Sequence, residues 1–262
     1  MVTSLSGAPL VVLLWLIACS AGPSPPTAPN GPAATGVSAT APAEAWGCYD
    51  LKPGHPTASE QETFLDEVAR LATRAEDRYG VPAAALVAMA IAESGYGWTR
   101  LALNTNNLFA WKHFPGPATE GRQYWVLECQ PDEPGTRFVV FADRAEAVDF
   151  VARQLATSDN YRADTERYRR DRAAKDIRAP LERLGLDEAA AGGGADVVEA
   201  VDRWVEGVAD PYSSKPELWS RNVRHIMNDP YSPSERLSPE RNLYRLSGLA
   251  PLSRDAAPAP SS

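Results

Sequence analysis

Residues 82–98 read Pro-Ala-Ala-Ala-Leu-Val-Ala-Met-Ala-Ile-Ala-Glu-Ser-Gly-Tyr-Gly-Trp and are the most informative stretch of the sequence. No charged residue precedes Glu93 in this run, and a helix that is apolar all round is buried on every side. Gly95 and Gly97 then end the helix, because glycine adopts backbone conformations that other residues avoid. The pattern predicts a central, buried helix with one carboxylate at its end.

Further helices and one hairpin are predicted on both sides of this segment. A capping box over 59–62 opens an amphipathic helix before it. Two runs with strand composition, 122–129 and 136–142, flank a turn rich in Pro, Asp and Gly. Asp143 caps the next helix, and later helices are predicted at 162–184, 196–208 and 216–228. The fold class is therefore mainly α (α+β), with a single small hairpin.

The composition excludes several classes of protein. Of the 262 residues, 44% are hydrophobic, which is too many for a wholly disordered chain. The net charge of −8 at pH 7 argues against a nucleic-acid binder, which needs a basic face. The three histidines, His55, His113 and His225, lack metal-ligand spacing. We expect a monomer with no metal, no cofactor and no nucleic-acid partner.

The N-terminal segment is typical of protein export. Residues 8–18 are apolar but too few to span a bilayer comfortably. They end in Leu-Ile-Ala-Cys19, which resembles the bacterial lipobox, although 1–18 carries no Lys or Arg. The resemblance implies a signal peptide over 1–18 and a membrane anchor through lipid on Cys19; the alternative is a plain signal peptide. We expect an exported protein on the cell envelope, at the outer membrane or periplasmic face where the host has two membranes.

The rest of the chain divides by composition. Residues 19–46 form a Pro- and Ala-rich linker and 231–262 a Pro- and Ser-rich tail, and neither buries enough apolar area to offset its ordering entropy. The folded domain is therefore predicted over 47–230. Cys48 opens it and Cys129 lies in the first predicted strand. An oxidising compartment allows a disulfide between them; the alternative is two buried thiols.

Glu93 is the candidate catalytic residue. Burial disfavours its anion, and so does the negative end of the helix dipole. Both effects raise its pKa, so that the carboxyl can stay protonated near neutral pH, as the general acid of a glycosidase requires. The alternative is a solvated glutamate at a helix end capped by glycine.

Two motifs together carry a resemblance. Glu-Ser-Gly-Tyr-Gly at 93–97 is followed by Asn-Asn-Leu-Phe-Ala-Trp-Lys at 106–112. The pair resembles the peptidoglycan N-acetylglucosaminidases of glycoside hydrolase family 73, which include flagellar-muramidase-like and autolysin domains; Ala110 stands where that family usually has Gly. The similarity covers about 60–230. It implies a lysozyme-like helical fold with a small β-hairpin lobe, and hydrolysis of the β-1,4 bond between N-acetylglucosamine and N-acetylmuramic acid in peptidoglycan.

The resemblance also implies roles for two carboxylates. Glu93 matches the general acid. The second carboxylate of the family lies on the hairpin, where Glu128 is the candidate and Glu120 and Glu133 compete with it. The second group acts as a nucleophile, as a base or as electrostatic support, and the substrate's own acetamido group is a further candidate nucleophile.

Aromatic and amide side chains follow the acid closely in the sequence. Flat rings can line a sugar subsite while amides hold the polar edge of the sugar. The predicted substrate-binding residues are Tyr96, Trp98, Asn106, Asn107, Phe109 and Trp111. Core packing is the alternative for Phe109, and bonding to the local backbone is the alternative for the asparagines.

The family's late functional tyrosine has no direct counterpart. Val208 stands at its position, and Tyr212 is the nearest phenol in the segment. Either Tyr212 takes the catalytic role, or it packs under the helix at 216–228 and the role is lost. Two other functions therefore stay open: a lytic transglycosylase of the lysozyme fold and a catalytically inactive, peptidoglycan-binding lipoprotein.

Overall fold

The computed structural model describes residues 46–128, 135–183 and 197–247, all within one compact unit. Helices dominate these residues and a two-stranded sheet completes them, which confirms the mainly α (α+β) fold class with a single small hairpin predicted from the sequence. The elements are α1 (Ala58–Tyr79), α2 (Ala83–Ser94), α3 (Arg100–Thr105), β1 (Tyr124–Val126), β2 (Arg137–Val139), α4 (Arg144–Thr157), α5 (Arg162–Arg183), α6 (Val197–Tyr212), α7 (Pro216–Asn228) and a 3-10 helix (Tyr244–Ser247).

Helix α2 lies at the centre of the domain. Ten of its twelve residues are buried, because α1, α6, α7 and the 3-10 helix all pack against it. Its small side chains allow this close approach of neighbours on every side. The apolar run read from the sequence is therefore the core helix, and the residues at its two ends are held by the elements that surround it.

Side chains cap the helices that flank α2. In α1 the capping box lies two residues earlier than predicted: Thr57 accepts from the amide of Glu60, whose carboxylate accepts from the amide of Thr57. Thr57 rather than Ser59 is the N-cap residue, because the backbone is still extended at Thr57. In α4 the prediction is confirmed, since Asp143 accepts from the amide of Glu146 over 2.8 Å.

The hairpin is shorter than the two predicted runs. The strands are antiparallel, and Tyr124 lies opposite Val139. After Val126 the chain turns, because the Glu128 amide donates back to the carbonyl of Val126 over 3.0 Å. Glu128, the candidate for the second carboxylate, therefore lies in a turn two residues beyond the end of β1.

A third extended segment pairs with the other edge of β2. The amide of Val139 donates to the Trp111 carbonyl over 3.1 Å, and Lys112 forms an isolated bridge with Phe138. On one side of the hairpin a small core forms from Cys48, Leu101, Leu127 and Phe138. Cys48 is disulfide-bonded. The predicted partner, Cys129, lies outside the described residues, so the pairing stays a prediction.

The C-terminal boundary differs from the one predicted at residue 230. Leu243 and Tyr244 are buried in the main core, and Ser247 is wholly buried. Few residues of this Pro- and Ser-rich segment are apolar. They pack nevertheless, because α1, α2 and α6 form a surface against which the 3-10 helix lies. The signal segment, Cys19 and most of the linker fall among residues 1–45, outside the described residues. No helix of the described ranges is long and apolar enough to cross a membrane.

Candidate active site

Glu93 occupies the last turn of α2 and is partly buried. Gly95, Tyr96 and Gly97 follow it with φ values of 53°, 60° and 79°, three left-handed residues in succession. A Cβ on Gly95 would lie 2.1 Å from the side chain of Leu51, so glycine is required there for space as well as conformation. The sharp turn leaves the carboxyl at the end of the buried helix.

The indole of Trp219 holds the carboxyl of Glu93. Its Nε1–H donates to Oε1 over 2.8 Å. Burial raises the pKa of Glu93 and outweighs this hydrogen bond, which acts in the opposite direction. Because an indole nitrogen only donates, Oε1 serves as the acceptor. The site thus holds a carboxyl whose pKa is raised, with Oε1 fixed by Trp219 and no hydrogen bond to Oε2 from the described residues.

Tyr212 lies beside this pair. Its ring centroid is 4.9 Å from that of Trp219, and its hydroxyl donates to the Phe109 carbonyl over 2.7 Å. Burial raises its pKa well above the usual value, and the nearby charge of Glu93 adds to the effect. Tyr212 therefore packs against α7, in agreement with the second alternative, and its catalytic role stays a prediction. Val208 is wholly buried in α6 and is not available to a substrate.

Trp111 and Tyr161 extend the aromatic cluster away from the acid. The Trp111 ring lies 6.2 Å from Tyr212 and 6.4 Å from Tyr161, and it stays partly exposed. The Tyr161 hydroxyl donates to the carbonyl of Pro211 over 3.2 Å. Trp111 is thus the predicted sugar-binding aromatic that stands next to the groups around Glu93.

Sequence reasoning missed Trp219 and Tyr161. Trp219 lies on the apolar face of α7 with Val223 and Ile226, a spacing that indicates only core packing. The sequence around each residue does not indicate its spatial neighbours, because these neighbours belong to elements distant in the chain.

The two asparagines hold the loop after α3. In Asn107 the amide nitrogen donates to the carbonyls of Trp111 and Val139 over 2.9 and 3.0 Å. Its oxygen accepts from the Trp111 amide over 2.9 Å, and the side chain is buried. The prediction of a substrate contact is therefore wrong for Asn107, because the backbone already occupies its polar atoms. The nitrogen of Asn106 likewise donates to the carbonyls of Phe141 and Ala142, in agreement with the alternative of local backbone bonding.

Three of the predicted aromatic contacts face elsewhere. Phe109 is 1% exposed and belongs to the core, so its substrate-binding assignment is wrong. The prediction is also wrong for Tyr96: its hydroxyl donates to the carbonyl of Pro230, and burial raises its pKa to about 12. Trp98 stacks on His55 with ring centroids 4.0 Å apart, so one face of its ring is covered by the segment before α1.

The candidates for the second carboxylate lie on or near the hairpin. Glu128 and Glu120 are both exposed, and Glu133 lies outside the described residues. In the parts of the chain that the structure describes, no group of three or more His, Cys, Asp or Glu side chains is placed to hold a metal ion.

Comparison with known proteins adds a family. A family model described as glucosaminidase, mannosyl-glycoprotein endo-beta-N-acetylglucosaminidase, matches residues 69–231. Among solved structures the chain is similar to the catalytic domain of the autolysin Auto from Listeria monocytogenes, at 16% identity and a TM-score of 0.40, over 66% of this chain and 85% of that one. No curated protein matches the chain.

Proposed function

Since the chain belongs to the glucosaminidase family, a family of glycoside hydrolases, we propose that it hydrolyses the β-1,4 bond between N-acetylglucosamine and N-acetylmuramic acid in peptidoglycan. Glu93 is the general acid in this proposal. The observation that carries it is the state of that carboxyl: burial raises its pKa, and one of its two oxygens is fixed by Trp219. A protonated carboxyl with a free O–H is what a glycosidic leaving oxygen needs.

The first step transfers the Oε2 proton of Glu93 to the glycosidic oxygen. The C–O bond breaks as that oxygen takes both bonding electrons, and positive charge develops on the sugar carbon. The resulting Glu93 carboxylate keeps its hydrogen bond from Trp219, which stabilises the new negative charge. Water finally adds to the sugar carbon and returns a proton to the site.

The proposal also needs a group that stabilises the positive charge on the sugar carbon. Glu128, exposed just after β1, is the residue that the family pattern favours. The acetamido group of the substrate is the alternative, because it can attack its own sugar carbon. Glu128→Gln separates them: a loss of hundredfold or more in kcat supports the carboxylate, and full activity supports the acetamido group.

Exchange of the acid tests the whole proposal. Glu93→Gln keeps the shape of the side chain but removes the acidic proton, so we expect at least a hundredfold loss of kcat. The assay is mass spectrometry of digested peptidoglycan, in which the wild type releases ends that carry reducing N-acetylglucosamine. The matched control is Glu199→Gln, which alters a surface carboxyl of α6 that pairs with Arg203, and it should keep full activity.

Two results would overturn the proposal. Products with 1,6-anhydromuramic ends would make the protein a lytic transglycosylase. Binding of peptidoglycan without any product from the wild type would make it a wall-binding protein.

We also propose that the enzyme is exported and anchored to the envelope by lipid on Cys19. The lipobox-like run before Cys19 and the linker after it support this. Cys19→Ser should move the protein from the detergent phase to the aqueous phase on phase separation, and an unchanged partition would refute the anchor.

A further inference from the structure

A row of side chains crosses the sheet from the aromatic cluster to the outer strand. Trp111 lies opposite Val139, and Val139 lies opposite Tyr124. Residues opposite one another on antiparallel strands share a face of the sheet, so the three belong to one face. Because strands are spaced about 4.8 Å apart, the row leads roughly 10 Å outward from Trp111, whose ring contacts Tyr212 beside the acid.

Arg137 lies on β2 two residues before Val139, and therefore on the same face of the sheet as this row. Its guanidinium stands 4.4 Å from the ring centroid of Tyr124, and the ring of His113 lies 5.1 Å from the same tyrosine. The His113 amide donates to the Arg137 carbonyl over 2.8 Å, which fixes the backbone on both sides of the group. We call Arg137, Tyr124 and His113 the hairpin cluster.

Arg137 is exposed, and its partners differ from those of the other arginines near the hairpin. Arg122 and Arg144 each form an ion pair with a glutamate at 2.8 and 2.7 Å. Within residues 46–128, 135–183 and 197–247, no carboxylate lies within ion-pair distance of Arg137. A guanidinium over an aromatic ring keeps its N–H donors for a further partner, and a planar fork of donors fits a carboxylate.

Charge complementarity identifies the partner. The protein carries a net charge of −8, and the stem peptides of peptidoglycan carry carboxylates, so the two repel one another in general. A cation on the same face as the aromatic row reverses this repulsion at one place. The carboxylates and the sugars belong to one polymer, so a strand held at Glu93 brings stem peptides to the hairpin.

We infer that the hairpin cluster is a specificity site, at which Arg137 binds a carboxylate of the stem peptides on the strand that Glu93 cleaves. This inference rests on the proposed function. The role of Tyr124 is to position the guanidinium, since its ring is the surface on which Arg137 lies. The enzyme then prefers strands that carry peptides over bare glycan.

The test compares two substrates, both freed of wall phosphate polymers. One is intact peptidoglycan, and the other is the same material after carbodiimide coupling with methylamine has turned the carboxylates of the stem peptides into neutral amides. Arg137→Gln should lower kcat/KM about tenfold on intact peptidoglycan, through KM, and leave the amidated peptidoglycan unchanged. Arg137→Lys should restore only part of the loss, because a lysine lacks the planar fork. The matched control, Arg70→Gln on the exposed surface of α1, should change neither value.

Equal losses on both substrates, or no loss on either, would overturn the inference. A second measurement separates this failure from failure of the proposed function. In the Glu93→Gln background, co-sedimentation with the two substrates reports binding without catalysis. Arg137→Gln should weaken sedimentation with intact peptidoglycan alone. A wild type that cleaves neither substrate refutes the proposed function, and the sedimentation result still decides the role of Arg137.

Discussion

Two glutamates lie at opposite ends of α2, and their surroundings differ. Glu76, from the end of α1, is 2% exposed. It accepts from the Ala83 amide at the start of α2 over 2.8 Å, from the Tyr168 hydroxyl over 2.6 Å and from Arg172 over 3.0 Å. Glu93, at the other end, accepts from Trp219 alone among the described residues. Burial raises the pKa of both carboxyls.

The contrast separates a carboxyl with donors on both oxygens from one with a donor on a single oxygen. Glu76 lies at the positive end of the α2 dipole and has donors on both oxygens, which offset part of the free-energy cost of burying its charge. Glu93 lies at the negative end of the α2 dipole, and one of its oxygens has no donor among the described residues. Burial of its neutral, protonated form therefore costs less free energy than burial of its anion. The same residue type therefore closes α2 at one end and, in the proposed reaction, supplies a proton at the other.

Glutamate-to-glutamine exchange can be made at both ends of α2, and we expect the larger change in stability at Glu76. Three donors surround Glu76, so the NH2 group of a glutamine faces a donor whichever way it turns. We expect Glu76→Gln to lower the free energy of unfolding by about 3 kcal/mol, measured by urea denaturation at pH 7. The remaining folded fraction should keep its kcat. A variant as stable as the wild type would show that the donors are not what holds this end of α2.

We expect the next largest effect from Tyr212→Phe, which tests the surroundings of Glu93. The change removes the hydroxyl while the ring and its contact with Trp219 remain. If the hydroxyl serves the reaction, kcat falls about tenfold, which is 1.4 kcal/mol of barrier. Unchanged kcat, with a lower unfolding temperature from the lost bond to Phe109, would assign Tyr212 to packing alone.

Glu93→Gln should change stability in the direction opposite to Glu76→Gln. The pKa of this carboxyl is raised in the folded protein, so above about pH 4.3 it ionises more readily in the unfolded chain. This difference in ionisation lowers the free energy of unfolding. Removing the carboxyl should therefore raise the melting temperature at pH 7. The gain should shrink as the pH falls and vanish well below pH 4, where both states are protonated. A melting temperature below that of the wild type at pH 7 would contradict the burial argument.

Trp219→Phe gives the smallest effect, a shift in the pH profile. The indole hydrogen bond lowers the pKa of Glu93 against the effect of burial. Without it the pKa rises further, so the alkaline limb of the kcat/KM profile should move to higher pH. A shift to lower pH would mean that the indole does not stabilise the carboxylate.

Sequence reasoning was strongest where composition alone dictates the environment. A run without charges over 82–92 has no solvent-facing side, so both the burial of α2 and the position of Glu93 follow from it. The fold class follows in the same way from the periodic helices and the single turn-flanked hairpin. These features depend on neighbours in the chain and need no knowledge of tertiary contacts.

The rest depends on partners that the sequence does not place. The amide of Asn107 has the same chemistry whether it meets a sugar or the carbonyl of Val139. The indole of Trp219 fits an apolar stripe equally well whether or not its N–H finds Glu93. Leu243 and Tyr244 are too few to predict a packed segment, and they pack because a surface is already there.

The amide of Ala84 donates to the hydroxyl of Ser247 over 2.9 Å, across 163 positions of the chain. Helical proteins usually fold fast because their contacts are local, and distant contacts slow them. Here the first turn of the helix that carries Glu93 is completed by one of the last described residues. During synthesis Glu93 therefore emerges long before its helix is completed at the opposite end, and the native domain forms only after Ser247 has followed.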